Sequence, residues 1–316
     1  MNAVEPIPSR SASTTVSARR PARRVLLPVG AAVVGALLLA GCTGQAEPGA
    51  STPPPTAPSE SPGPSESPTP TPAPSASDPE ESATLAIWSM VDTRAGMRLV
   101  REHLEVTGAD PAVAAVERMI AGPADPDYTS PWAASTEVLG VGTEGGTIVV
   151  DLSEDARTAS IGSEGAALMI QQLVYTVTDA VGEPARAVQL LIEGEPAGEL
   201  WGVVSWDEPV VRADPLDVRS LVQIDEPAEG ETVGTTVTVT GEAAVFEASF
   251  TWTVLDASGT QVQEGFDMTS EGQTFAPFSF AVELEPGTWT IVVTEDDPSD
   301  GEGGTPMSDS RTVVVE

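Results

Sequence analysis

Apolar positions divide the chain into four stretches of different character. Val29 to Ala40 is a run of twelve residues without one polar side chain. From Thr43 to Ser82 no apolar residue is larger than Ala or Pro, and 12 of those 40 residues are Pro. Strong periodicities begin at Thr84, and from about Leu221 onward the helical ones disappear. Alternation in Thr84-Leu85-Ala86-Ile87-Trp88-Ser89-Met90-Val91 predicts a strand, and Arg98 to Val106 a second. Asp110 as N-cap and Pro111 as first helical residue open a helix along Val113, Val116, Met119 and Ile120, which Gly122-Pro123 stops. Two strands, Glu137 to Val141 and Thr147 to Leu152, are joined by a Gly145-Gly146 turn.

The longest helical period runs from Ser163, expected as the cap, to Ala180, with Met169, Ile170, Leu173, Val174, Val177 and Val181 on one wide apolar face. Tyr175 and Thr178 fall on the side expected to face solvent, which makes them possible contact residues. A strand from Ala187 to Ile192 and a turn at Gly194-Glu195-Pro196 follow. The order ββαββαβ with antiparallel hairpins gives an α+β domain over 83–206, its helices on one face of a sheet. Residues 207–220 have no pattern and are expected to be a linker. Beyond them, seven candidate strands between Leu221 and Val315, punctuated by Gly, Pro and Asp, predict an all-β, immunoglobulin-like sandwich over 221–316. Trp252 and Trp289 are its expected core aromatics, and Pro286-Gly287 the turn into its sixth strand. The change of period predicts two separately folding domains.

The first two stretches can join neither core. Arg19, Arg20, Arg23 and Arg24, then the apolar run, then small residues before Cys42 give the order of a secretory signal, and the run is short for a membrane span of about 20 residues. Leu39-Ala40-Gly41-Cys42 resembles the lipobox of the bacterial lipoprotein signal. That resemblance implies cleavage between Gly41 and Cys42, a diacylglyceryl thioether and a palmitate-type N-acyl group on Cys42, and a cell-membrane location on the extracytoplasmic face. Residues 1–41 are then the signal peptide. Residues 42–82 form a Pro/Ser-rich tether, too polar to offset the entropy of ordering.

Charge narrows the partners. After residue 41 there are nine arginines against 47 acidic residues, a formal charge of −38. Nucleic acid is excluded as a natural partner, because phosphate binding needs basic patches. Adhesion to an anionic membrane surface is disfavoured as well, so the lipid has to hold the protein there. Cys42 is the only cysteine, which rules out an internal disulfide. All fourteen basic residues are Arg, in keeping with a high-GC bacterium.

Catalytic chemistry has little to draw on. The single His103 sits on an alternating strand between Arg101 and Glu105 and reads as a solvent-face residue, and no Gly-x-Ser-x-Gly elbow is present. Carboxylates Glu193, Glu195 and Glu199 near Trp201 and Trp206 would be the place for glycan binding or hydrolysis, the alternative function; the plainer reading is a charged turn beside core aromatics. Glu295 to Glu302 is acidic but lacks EF-hand spacing, which leaves a solvated loop. Asp151 reads as a turn cap. No cofactor and no metal is expected.

Two families are resembled. Ala121-Gly122-Pro123, Val149-Val150-Asp151-Leu152-Ser153 and Gln172-Leu173-Val174-Tyr175-Thr176 are similar to runs of the GerMN domain of germination and sporulation proteins. Ile224-Asp225-Glu226-Pro227, Val239-Thr240-Gly241-Glu242-Ala243 and Val245-Phe246-Glu247-Ala248 resemble the immunoglobulin-like domain of bacterial spore germination. The resemblance implies an envelope lipoprotein of a kind also found in actinobacteria, whose first domain is related to ring-building motifs. It implies no catalytic residue set. The expected function is a non-enzymatic, lipid-anchored module that binds an envelope protein or itself.

Overall fold

The computed structural model describes residues 82–159, 161–296 and 302–316. The signal peptide, the tether up to residue 81, Gly41 and Cys42, and residues 297–301 of the acidic run lie outside the described residues. The first domain opens with β1 (Ser82–Thr93) and β2 (Gly96–Thr107), an antiparallel hairpin of twelve paired residues that forms a sheet by itself. α1 (Pro111–Ala121) begins as the sequence dictates: Asp110 Oδ1 accepts from Ala112 N at 2.9 Å and Pro111 supplies the preset φ. β3 (Val138–Glu144) and β4 (Thr147–Leu152) turn through Gly145 and Gly146, whose φ of 56° and 91° require glycine-like freedom. α2 (Ser163–Val181) then crosses over to β5 (Val188–Ile192), which lies parallel to β4. β6 (Glu195–Pro196) completes a four-stranded sheet ordered β3-β4-β5-β6, and β7 (Gly198–Leu200) with β8 (Val204–Trp206) adds a short hairpin.

The core lies between that sheet and the two helices. Ile148, Val150 and Leu152 of β4 and Val188, Leu190 and Ile192 of β5 pack in one cluster with Met169, Leu173 and Val177 of α2 and Val116 and Met119 of α1. Fully burying each such side chain contributes about 1.5–3 kcal/mol, which lets the domain hold without a cross-link.

Three expectations for α2 are corrected. Its N-cap is Gly162, with no side-chain cap, and Ser163 is already helical. Tyr175 is 2% and Thr178 0% exposed, so neither is a surface contact residue. The apolar face alone could not show why, because the other side of the helix is covered by polar contacts. On one flank Trp88 N donates to Thr176 Oγ1 and Gln172 Nε2 donates to Trp88 O, tying the helix to β1. On the other, Tyr175 OH donates to Ala213 O at 2.9 Å, Arg212 Nε donates to Thr178 Oγ1 at 2.8 Å, and Arg212 pairs with Asp179.

Residues 207–220 are thus a strap on the first domain rather than a bare linker. Val210 exchanges two backbone hydrogen bonds with Val188, Ala213 N donates to Gln171, and α3 (Pro215–Val218) is capped by Asp214. None of these bonds has a period in sequence.

The second domain is a sandwich. β9 (Val222–Glu226), β10 (Thr232–Val233), β11 (Thr236–Ala243), β12 (Ser249–Asp256), β13 (Gln261–Met268), β14 (Ala276–Glu283), β15 (Gly287–Glu295) and β16 (Ser308–Val315) form two sheets, ordered β10-β16-β15-β12-β13 and β14-β11-β9. All seven expected strands are present, and β10 pairs parallel to β16. The core aromatics differ from expectation. Phe250, Phe278 and Phe280 are the buried ones, whereas Trp252 and Trp289 are partly buried at the margin of the core. Trp252 stacks on Phe280 at 5.3 Å and lies over Gly265, where a Cβ would stand 2.3 Å from its ring. Trp252 thus covers the glycine paired with it on β13, at the margin of the core.

Candidate functional site

The buried ionisable groups among the described residues gather between the two domains. Glu102 of β2 accepts the backbone N–H groups of Ala124 and Asp125 and so fixes the loop after α1. That loop carries Asp125 and Tyr128 to β16 of the second domain. Arg311 donates to Asp125 at 2.8 Å, to Asp309 at 3.0 Å and to Tyr128 OH at 2.7 Å, and it also reaches Ile224 O at 2.8 Å. Tyr128 OH donates to Asp309. All four side chains are buried. One guanidinium therefore serves two carboxylates away from water. Burial, with only a share of that guanidinium, pushes the Asp125 carboxyl up to about 6. Burial also raises the Tyr128 phenol far above its usual range, helped by the charge of Asp309. Burial opposes the Arg311 cation, yet Asp309, Tyr128 and Asp125 together hold its pKa above the ordinary value.

A second group lies beside the first. Arg101 of β2 binds Asp225 of β9 through two hydrogen bonds of 2.8 and 2.7 Å and stands 3.2 Å from Glu242 of β11. Arg219, at the end of the strap, donates to Gln223 and Glu242, and its guanidinium sits 5.0 Å from the Trp88 ring and 3.7 Å from the Phe275 ring. It is held between an aromatic of each domain. Burial acts to raise the Glu242 pKa, but the hydrogen bond from Arg219 and the charge of Arg101 leave it below the usual carboxylate range. Ser220 N and Gln223 Nε2 both donate to Leu99 O, and Arg94 in the β1–β2 turn pairs with Glu295 at 2.8 Å.

Hollows flank this seam. One of about 480 Å³ is lined by Thr84, His103, Asp225, Glu231 and Thr236. Another of about 330 Å³, lined by Asp92, Asp127, Tyr128 and Ser310, opens where the loop after α1 meets β16. His103 Nδ1 lies 3.5 Å from Asp225 Oδ1, a carboxylate that Arg101 already occupies, and among the described residues no hydroxyl is hydrogen-bonded to the imidazole. Among the described residues no group of three or more His, Cys, Asp or Glu is arranged to hold a metal ion.

The residues singled out by sequence scatter. Glu193, Glu195 and Glu199 are exposed around the turns of β6 and β7. Trp206 is buried, and Trp201 donates to Ala156 O. Asp151 caps its turn, accepting from Gly194 N. Glu295 is no solvated acid: it is buried, accepts from Met307 N and pairs with Arg94. Asp125, Tyr128, Arg219, Asp309 and Arg311 were not singled out. One signal for them exists in β16, where Asp309 and Arg311 share the parity of the buried Val313 and Val315, two charges on the core face of a strand.

Known families match the two domains separately. Residues 88–198 match the family described as sporulation and spore germination, and residues 221–302 the immunoglobulin-like domain of bacterial spore germination. No curated protein sequence matches the chain. Among solved structures, the tandem GerMN domains of the sporulation protein GerM from Bacillus subtilis are 16% identical, cover 45% of this chain and 49% of that one, and give a TM-score of 0.35. The chain thus spans about half the length of that relative. A putative lipoprotein from Clostridium perfringens is 12% identical over 46% of this chain and 98% of its own, at a TM-score of 0.30. The first GerMN domain of GerM alone is 18% identical over 40% of this chain and 98% of its own, also at 0.30.

Proposed function

Since the chain joins a GerMN-type sporulation and germination domain to the immunoglobulin-like domain of spore germination, we propose that it is a lipid-anchored scaffold of the cell envelope that binds another envelope protein without catalysing a reaction. The observation that carries this reading is the use made of the ionisable groups. Arg101, Arg219 and Arg311, with Asp125, Asp225, Glu242 and Asp309, hold one domain on the other. Groups committed to each other in this way are poorly placed to move protons for a substrate. They give two domains a fixed mutual geometry, which suits a body that presents surfaces. The lipobox at Leu39-Ala40-Gly41-Cys42 supports the anchor, and the charge of the chain favours a protein partner over nucleic acid.

Cys42→Ser tests the anchor. The hydroxyl cannot form the thioether, so the variant is expected to remain an unlipidated precursor; a shortened chain that still partitions into detergent would refute the lipidation. Chemical cross-linking in intact cells tests the rest. Cross-linked species containing the chain and a second envelope protein are expected, and pelleting with purified peptidoglycan in their absence would favour the glycan reading.

A further inference from the structure

The five-stranded sheet of the sandwich ends in a long edge strand. β13 is eight residues long and, among the described residues, pairs only with β12. Its outward parity is Val262, Glu264, Phe266 and Met268, and of these Val262 is 46%, Phe266 76% and Met268 58% exposed. Phe266 is the most exposed large apolar residue among those described. Edge strands are ordinarily kept short or blunted with Lys, Pro or bulges. The other edges of the sandwich follow that rule: β10 has two residues, β9 five, and β14 carries Pro277 and turns Ser279 and Ala281 outward. β13 has neither Pro nor a cation; its one bulge sits at Val262, near the start of the strand, and Gln263 to Met268 pair with β12 in regular register.

Charge selects the occupant. Glu264 stands in the middle of the apolar row, and Glu247 and Glu271 are exposed near its end, where Ser249 pairs with Met268. A second copy of this chain is a poor match for that edge, because the one arginine of its sandwich, Arg311, points into the seam. Two chains of formal charge −38 after residue 41 would also repel.

We infer that β13 is a docking edge for an extended segment of a partner protein in which apolar side chains alternate with basic ones, added as a further strand of the sheet. The backbone supplies the hydrogen bonds, Phe266 and Met268 the apolar contact, and Glu264 the selection for positive charge. The inference rests on the interaction-module reading and gives it a surface and a partner chemistry.

The probe is a fluorescein-labelled ten-residue peptide alternating Val and Lys, compared by anisotropy with one alternating Val and Glu, against the full lipidated chain in neutral detergent micelles. The Val-Lys peptide is expected to bind, more weakly as salt rises, and the Val-Glu peptide not to bind. Phe266→Ala is expected to weaken binding roughly tenfold, the scale of a central aromatic contact. Glu264→Lys, an exposed change that leaves the sheet intact, is expected to reverse the preference between the peptides. Equal binding of both peptides, binding indifferent to both variants, or sedimentation showing a dimer lost in Phe266→Ala would each overturn the proposal. A photo-reactive phenylalanine analogue in place of Phe266 or of Val211, which is 54% exposed on the strap, separates the two readings in cells. Cross-links from position 211 alone would overturn the docking edge and leave the scaffold standing. Silence at both positions with peptide binding intact would count against the scaffold and spare the edge.

Discussion

In the two hydrophobic cores the buried side chains recur with the period of the element that carries them, whereas at the seam between the domains the buried groups are charged and come from segments with no period in common. Ile148, Val150 and Leu152 alternate along β4. Asp125, Tyr128, Arg219 and Arg311 belong to a loop, a strap and a strand. The two kinds of burial also fail differently. A truncated core residue leaves a cavity whose neighbours partly relax, but a missing seam residue leaves a desolvated charge with no counter-ion. The seam should therefore be the more sensitive place, although it contains far fewer residues.

Arg311→Met is expected to have the largest effect, because it leaves Asp125 and Asp309 facing each other without a cation. A loss of about 3–5 kcal/mol is expected in urea denaturation at neutral pH. A loss below about 1 kcal/mol would place the seam on a par with a surface ion pair.

Next in size is a pH effect. Between about pH 4 and the Asp125 pKa of about 6 the folded chain holds a proton that the unfolded chain has released, so this group favours folding most at the acid end and its contribution is lost as pH rises through 6. The expected difference is on the order of 2–3 kcal/mol. Asp125→Asn should flatten the stability profile across that window; a profile identical to wild type would mean that Asp125 titrates normally.

Arg101→Ala removes the paired hydrogen bonds to Asp225 and the approach to Glu242, at a site partly open to water. A loss of about 1.5–3 kcal/mol is expected, visible as a lower denaturation midpoint at unchanged slope. His103→Ala should be the smallest change, within about 0.5 kcal/mol, since its imidazole is half-exposed beside a carboxylate that Arg101 already satisfies. Loss of the protein's function in a well-folded His103→Ala chain whose cross-links to envelope proteins persist would instead favour an enzyme.

The order ββαββαβ and the seven strands of the sandwich were legible because each rests on local alternation or on a capping signal such as Asp110-Pro111 and Gly145-Gly146. What was not legible depends on who covers whom. Tyr175 and Thr178 lie off the apolar face of α2 and were expected in solvent, yet Arg212 and Ala213 of the strap bury them through polar bonds. In the same way Phe250 fills the sandwich while Trp252, of the same parity on β12, lies at the margin over Gly265, a cross-strand pairing that alternation does not reveal. The seam was hardest to see. With 47 acids after residue 41, any of the nine arginines had many possible partners in sequence. Only the inward parity of Asp309 and Arg311 pointed to a buried pair.

The seam is expected to make one cooperative body of two domains whose periodicities alone predict independent folding. Scanning calorimetry of the full chain tests this directly. A single transition, with calorimetric and van't Hoff enthalpies equal, is expected for the wild-type chain, splitting into two transitions in Arg311→Met. Two separate transitions already present in the wild-type chain, and unmoved by Arg311→Met, would contradict it.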